Sequence, residues 1–402
     1  MRPSLLLLAA LCAVASSRPW DGSCSTNADC SLNGDCVNGA CACEAAWSGG
    51  PACDVLAVVP SDPEAYGYDN ATAASWGGYP VEVNGVWHLF AAQMLHGCSL
   101  GSWKSNSVVV RAEAPQPNGP YVYQETVLPA FAHNPTIRKG DDGMYYLFHI
   151  GGWPTTPTDC DGTASSEAEA VTQYPGPSGD GCGPDPLNSG CGIRLATAPA
   201  VTGPWSAKYV TIPNQNISAL LDCAHTNPSV LDVNGTVIMA FNAGYCHDHL
   251  ETLGLAAAPG FGGPFNIITP DPILTNSDGT PHKCEDPFIF RTRHGYGLLS
   301  HNQQGGGEAL LAFSSDLKSG WGVAGGPVFC SHVIPSSPPA WERSPNQPYN
   351  SVVKFTNGTT LTVQSVERPH LLFDASGAPT FLINGAERDG AATFTLIRPL
   401  AS

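Results

Sequence analysis

The chain has 402 residues, 44 of them Gly and 36 Pro, with 13% charged and 42% hydrophobic residues. So many helix breakers exclude an architecture of long helices, and so much apolar content excludes a disordered chain. A balance of 17 Lys and Arg against 34 Asp and Glu gives a formal net charge of -17, which excludes nucleic acid and anionic membranes as partners because the basic residues are not clustered.

In chain order, residues 1–17 come first: Arg2, the apolar run Leu5 to Val14, then small residues up to Ser17. This reads as a secretory signal peptide, and the run is shorter than the roughly 18 apolar residues that a membrane span requires. No later stretch approaches that length, so no membrane span is expected. Cleavage removes Cys12 from the 15 cysteines and leaves an even number, so seven disulfides are expected in a secreted, extracellular protein. Sequons at Asn70, Asn216, Asn234 and Asn357 suit the same compartment as glycosylation sites.

The next segment, residues 20–54, holds Cys24, Cys30, Cys36, Cys41, Cys43 and Cys53 among turn residues and few aliphatic side chains. Such a segment cannot bury a core, and cross-links must replace one. It resembles an epidermal-growth-factor-like (EGF-like) module of the short kind. The resemblance implies the pairs Cys24 with Cys36, Cys30 with Cys41 and Cys43 with Cys53. It also implies either a structural cap or a contact module for another protein. Trp20-Asp21-Gly22-Ser23 offers one acid where the calcium-binding version wants two, so no calcium is expected here. The spacing leaves open how Cys98, Cys160, Cys182, Cys191, Cys223, Cys246, Cys284 and Cys330 pair.

From residue 55 to 402 a two-part pattern recurs. Polar residues, a proline and an apolar stretch lead into a turn and a second apolar strand, at Pro80, Pro135, Pro228, Pro287 and Pro369. Each reads as a β-hairpin. Four of them are followed by a strand of small residues ending in a turn, as in Leu195-Ala-Thr-Ala to Gly203-Pro-Trp. An open array of such units would expose strand edges, and radial closure removes most of them. The expected fold is therefore all-β, a five-bladed propeller behind a small disulfide-rich module. The insertion from Trp153 to Asn188 reads as a surface flap.

In a propeller the residues that open each innermost strand converge on the axis. Two positions before the repeat prolines stand Gly78, His133, Thr226, Glu285 and Glu367; one position before stand Tyr79, Asn134, Asn227, Asp286 and Arg368. Mixed donors and acceptors of this kind suit a ligand rich in hydroxyl groups, so a carbohydrate is the expected partner. His133 and His225 read as hydrogen-bonding channel residues. The alternating pair in Cys246-His247-Asp248-His249 is too weak a signal for a metal site, and neither a metal nor a cofactor is expected. Trp76, Trp153 and Trp205 are candidates for stacking on sugars or for packing between blades.

The Asn-Pro, Glu-Asp-Pro and Glu-Arg-Pro strand openings, with the Ala-x-Ala to Gly-Pro-aromatic strands, resemble the five-bladed glycoside hydrolases of families 43 and 32. The resemblance covers about Trp76 to Pro399 and implies Glu285 as general acid. Family 43 also has Asp at two further positions, occupied here by Tyr79 and Asn227. Hydrolysis ordinarily needs two carboxyl groups, so the base is expected from Glu367 or Asp286, with His133, Asn134, Asn227 and Arg368 orienting the sugar. Whether the site cleaves a glycan, only binds it, or is a scaffold for adhesion is left open by these residues.

Overall fold

The computed structural model describes residues 20–151, 157–160, 192–210, 221, 225–244, 251–305, 308–317, 341–388 and 392–402. The expected signal peptide, the flap apart from residues 157–160, the sequon at Asn216, the run from Cys246 to His249, and Cys182, Cys191, Cys223 and Cys330 lie outside these residues. None of the described helices is long and apolar enough to cross a membrane.

Five four-stranded antiparallel sheets form the blades of a propeller. Their innermost strands are Ser75–Val83, Ala132–Lys139, Thr226–Val233, Cys284–Arg291 and Ser365–Phe373. The second strands, in the same order, are Val86–Met94, Tyr145–Gly151, Thr236–Ala243, Tyr296–Asn302 and Pro379–Glu387. Blade five is completed by Gly67–Tyr68, from the start of the repeat region, which pairs with Thr393–Pro399 from its end. That closure joins both ends of the ring in one sheet and leaves it no open seam. It also demands glycine: Gly67 has φ +136°, and a Cβ there would lie 1.9 Å from the Thr395 carbonyl oxygen.

Apolar side chains alternate into the spaces between blades. Phe148, Leu195 and Val237 fill the space between blades two and three, and Ile238, Leu255, Ile289 and Leu298 the next one. Trp76 is buried, and its ring covers Gly385 so closely that a Cβ there would lie 2.5 Å from it. Trp205 meets Phe90 edge to face at 5.5 Å. Both tryptophans therefore pack between blades.

Every innermost strand carries a bulge near its start, where two residues face one on the second strand. In blades two to five these two residues are Asn134-Pro135, Asn227-Pro228, Asp286-Pro287 and Arg368-Pro369, and the first of each is left-handed, with φ between 48° and 56°. In blade one they are Gly77 and Gly78, because Trp76 pairs with Ala92 and Tyr79 with Phe90. The alignment of blade one on Pro80 is thus displaced by two residues. Gly77, not Tyr79, is the counterpart of Asp286. Tyr79 lies further along the channel, donating to the Leu371 carbonyl at 3.1 Å beneath the Arg138 guanidinium.

The disulfides Cys24–Cys36, Cys30–Cys41 and Cys43–Cys53 form as the EGF-like resemblance implied, and a fourth joins Cys98 to Cys160. Cys284 is a buried free thiol, which corrects the expectation of seven disulfides. Its side chain points into the apolar space between blades three and four. Nor does the N-terminal segment hang free: Cys30, Ala46, Trp47 and Leu56 enter the cluster that fills the space between blades four and five. Trp47 stacks on Phe290 at 5.9 Å, while buried Asp54 accepts hydrogen bonds from Ser344 and Asn346 at 2.6 and 2.8 Å. Truncating a buried Trp of this kind costs about 3–5 kcal/mol, so Trp47→Ala should lower the urea midpoint of the whole propeller. An unchanged midpoint would mean that the segment contributes nothing to propeller stability.

Candidate functional site

The bulges gather their left-handed residues at one end of the axis. Asn134 donates through its amide to Asn227 Oδ1 at 3.0 Å. Arg368, with no exposed surface, donates to Asp286 Oδ1 at 3.1 Å and to the Asn134 carbonyl at 2.9 Å. The Asp286 backbone N–H in turn donates to Asn242 Oδ1 at 3.0 Å. The guanidinium has room because blade one offers no side chain: a Cβ on Gly77 would lie 2.7 Å from Arg368 Cγ. These residues form a buried floor. Deeper in the channel, Tyr79, Phe288 and His370 pack ring against ring.

Above the floor the residues that precede the bulges project toward the mouth, and the two acids among them meet a histidine. His301 pairs with Glu285 across the blade-four hairpin, and its Nδ1 lies 3.0 Å from Glu285 Oε1 and 3.8 Å from Glu367 Oε2. Ligand-type atoms of Glu285, Asp286, His301 and Glu367 all lie within 4.8 Å of one another. Glu251, at the base of blade three's third strand, is hydrogen-bonded both to Glu285 and to the Gln303 side-chain amide.

Burial dominates the electrostatics and divides the acids. It raises Glu251 to about 8, helped by the neighbouring Glu285 charge, and Glu367 to about 7 despite the His301 charge. Burial acts on Glu285 in the same direction, but hydrogen bonds from His301, Glu251 and Gln303 and the His301 charge overcome it and hold this carboxyl below its usual value. His301 is lowered by burial and raised more strongly by Glu285 and Glu367, reaching about 9. Near neutral pH the cluster therefore holds an ionised Glu285, a protonated Glu251, a cationic His301, and a Glu367 near its titration midpoint. Asp286, raised to about 6 by burial against the pull of Arg368, is committed to the floor.

The geometry of four ligand-type groups could admit a cation. Asp286, however, is already bonded to Arg368.

The remaining expected site residues lie elsewhere on this face. His133 is buried, shares a 2.7 Å hydrogen bond with Ser107, stacks on Trp103 at 5.1 Å, and is lowered by burial to about 3, so it is neutral. His225 bonds through Nε2 to the Leu221 carbonyl at 2.6 Å and packs edge-on against Phe241. Glu285 and Glu367 face His301, while Arg368 pairs with Asp286. Sequence reasoning missed Glu251, His301 and Gln303. Counting back from the turn at 292–295 with one bulge allowed would have placed His301 opposite Glu285, whereas nothing in the sequence marks Glu251.

The sequence matches no protein-family model and no curated protein. Its structure is similar to that of a family 117 glycoside hydrolase from the marine bacterium Zobellia galactanivorans, at TM-score 0.51 and 12% identity over 85% of this chain and 89% of that one. It is also similar to the catalytic domain of the family 62 α-L-arabinofuranosidase of Coprinopsis cinerea, at TM-score 0.50 and 12% identity over 85% of this chain and 98% of that one. The chain thus shares the five-bladed propeller fold of glycoside hydrolases.

Glu251, Glu367 and His301 all bind protons more tightly in the folded than in the unfolded chain. The stability they contribute is complete below their ordinary values of 4.5 and 6.5 and is lost as pH rises through about 7, 8 and 9. Below about pH 6.5 the histidines that burial keeps neutral, His133, His149 and His370 among them, act in the opposite direction, so the thermal midpoint should fall between about pH 7 and pH 9.5, and Glu367→Gln should flatten the early part of that fall. A flat profile in the wild type would contradict this cluster.

Proposed function

We propose that the protein hydrolyses glycosidic bonds at the mouth of the channel. One observation carries the reading: Glu285 and Glu367 oxygens lie within 4.8 Å of each other on the propeller axis, in surroundings that push their proton affinities in opposite directions. A raised carboxyl beside an ionised one is the pairing that glycoside cleavage uses, with one group protonating the leaving oxygen and the other supporting positive charge at the anomeric carbon. Glu367 takes the acid role and Glu285 the anionic role, exchanging the roles that the sequence suggested for them. Glu251 and His301 position Glu285 and keep it ionised. Asp286 and Arg368 build the floor, and Asn134 and Asn227 contribute to the pocket through it.

The net charge of -17 favours a neutral or cationic glycan over a sulfated or uronic one. The four disulfides suit an oxidising, extracellular setting. A second reading, glycan binding without cleavage, is favoured by Gly77, since blade one supplies no side chain at the position that holds Asp in blade four.

Incubation with a panel of neutral polysaccharides, scored by new reducing ends, separates the two. Hydrolysis is expected, with a rate that falls as pH rises through about 7. Glu367→Gln should lose a factor on the order of 10² to 10⁴ for substrates with poor leaving groups. Retention of a glycan on the wild type without products would support the binding reading, and no interaction with any glycan would remove both.

A further inference from the structure

Deeper in the channel than the buried floor, one positive charge has no counterpart among the described residues. Arg138, on the innermost strand of blade two, lies over the ring of Tyr79 at 4.3 Å and over that of Phe288 at 6.0 Å. Its donors meet neutral acceptors alone: the Ile137 and Val230 carbonyls at 2.8 and 3.3 Å, and Thr136 Oγ1 at 3.4 Å. No carboxylate among the described residues pairs with it, whereas Arg111, Arg293, Arg368 and Arg388 each have at least one. Asp286 is bonded to Arg368, so that pair adds no net charge to the channel. Tyr79 cannot supply the missing charge either, because burial raises its hydroxyl above the usual value and the hydroxyl donates to the Leu371 carbonyl.

His370 borders the same two rings, at 5.7 Å from Tyr79 and 5.0 Å from Phe288. It is buried, and its Nδ1 donates to the Arg368 carbonyl at 3.2 Å, which leaves Nε2 of the neutral ring as an acceptor without a partner. Arg368 Nε is a buried donor without one. Burial lowers His370, and the charges that add to this effect, from Arg368 and Arg138, are both positive. A guanidinium held largely away from water needs a counter-charge, and aromatic faces offer it only a quadrupole. Arg138 keeps part of its surface exposed, so that counter-charge can enter from solvent. We propose that this stretch of the channel binds a small monovalent anion of the halide class, seated against the Arg138 guanidinium. One unpaired positive charge matches one negative charge, and walls of aromatic rings suit a weakly hydrated ion better than a phosphate or sulfate. A water carried in with the ion satisfies His370 Nε2, which an anion alone cannot, and Arg368 Nε offers a further donor from the floor. The site is distinct from the acids at the mouth and independent of whether they cleave a glycan.

Calorimetric unfolding of the whole chain in sodium gluconate, with chloride exchanged in at constant ionic strength, provides the test. The thermal midpoint should rise with the logarithm of chloride concentration once the dissociation constant is passed. The folded-to-unfolded ratio should grow about a hundredfold when chloride reaches about 100 times that constant. Arg138→Met should abolish the dependence, and Arg291→Met, at an exposed arginine, should keep it. Since Arg138→Met could fail to fold, wild-type crystals in sodium bromide give a second reading: the anomalous difference map should place a bromide in contact with the Arg138 guanidinium. A midpoint that does not respond to chloride, a response that survives in Arg138→Met, or bromide at surface positions only overturns the proposal and leaves the reading of the mouth intact.

Discussion

The burial of Arg368 is the constraint on which the site depends. A guanidinium without exposed surface at the centre of a propeller is tolerable only when its charge and donors are met, because an unpaired buried charge costs several kcal/mol. Asp286 supplies the charge and the Asn134 carbonyl an acceptor. The space comes from a missing side chain at Gly77. Four residues other than glycine hold left-handed backbone at the bulges, at about 1 kcal/mol or more each. Packing between the blades is what offsets that cost.

The mouth follows from this floor. Arg368 is bonded to Asp286 of the neighbouring blade, which ties the strand starts of blades four and five together, and their preceding residues, Glu285 and Glu367, stand side by side. His301 lies between them because the blade-four hairpin pairs it with Glu285. Desolvation then does the chemical work. Two acids within 4.8 Å and largely out of water cannot both ionise freely, and the imidazolium decides which one does. The N-terminal segment serves the same end from outside. Its Trp47 and Leu56 fill the space between the two blades that carry the acids, so it braces that part of the ring rather than trailing from it.

Much of this could be read before any coordinates. The blade hairpins, the small-residue third strands and the convergence of Glu285 with Glu367 follow from the repeat itself. The three N-terminal disulfides came only from a resemblance, since spacing cannot choose among pairings. Blade one was misaligned because proline is a proxy for the bulge and not its cause. Gly77 and Gly78 make the turn without proline, and Pro80 happens to follow two residues later. Glu251 was invisible because its contact with Glu285 joins two blades and no motif in the sequence marks it. Cys284 was misjudged because an even cysteine count says nothing about which way a strand residue points. The roles of Glu285 and Glu367 depend on partners, and residue type alone cannot reveal an imidazole between them.

The central claim is that Arg368 occupies the space left open by Gly77, and a double-mutant cycle on these two positions tests it most directly. Gly77→Ala alone should destabilise the protein strongly in urea denaturation, because the new methyl group collides with Arg368 Cγ. In the Arg368→Ala background the same change should cost only the backbone strain of alanine at positive φ, about 1 kcal/mol. A coupling of roughly 1–3 kcal/mol is predicted. Strictly additive effects would mean that the two residues do not share that space, and the account of floor and mouth would fall with it.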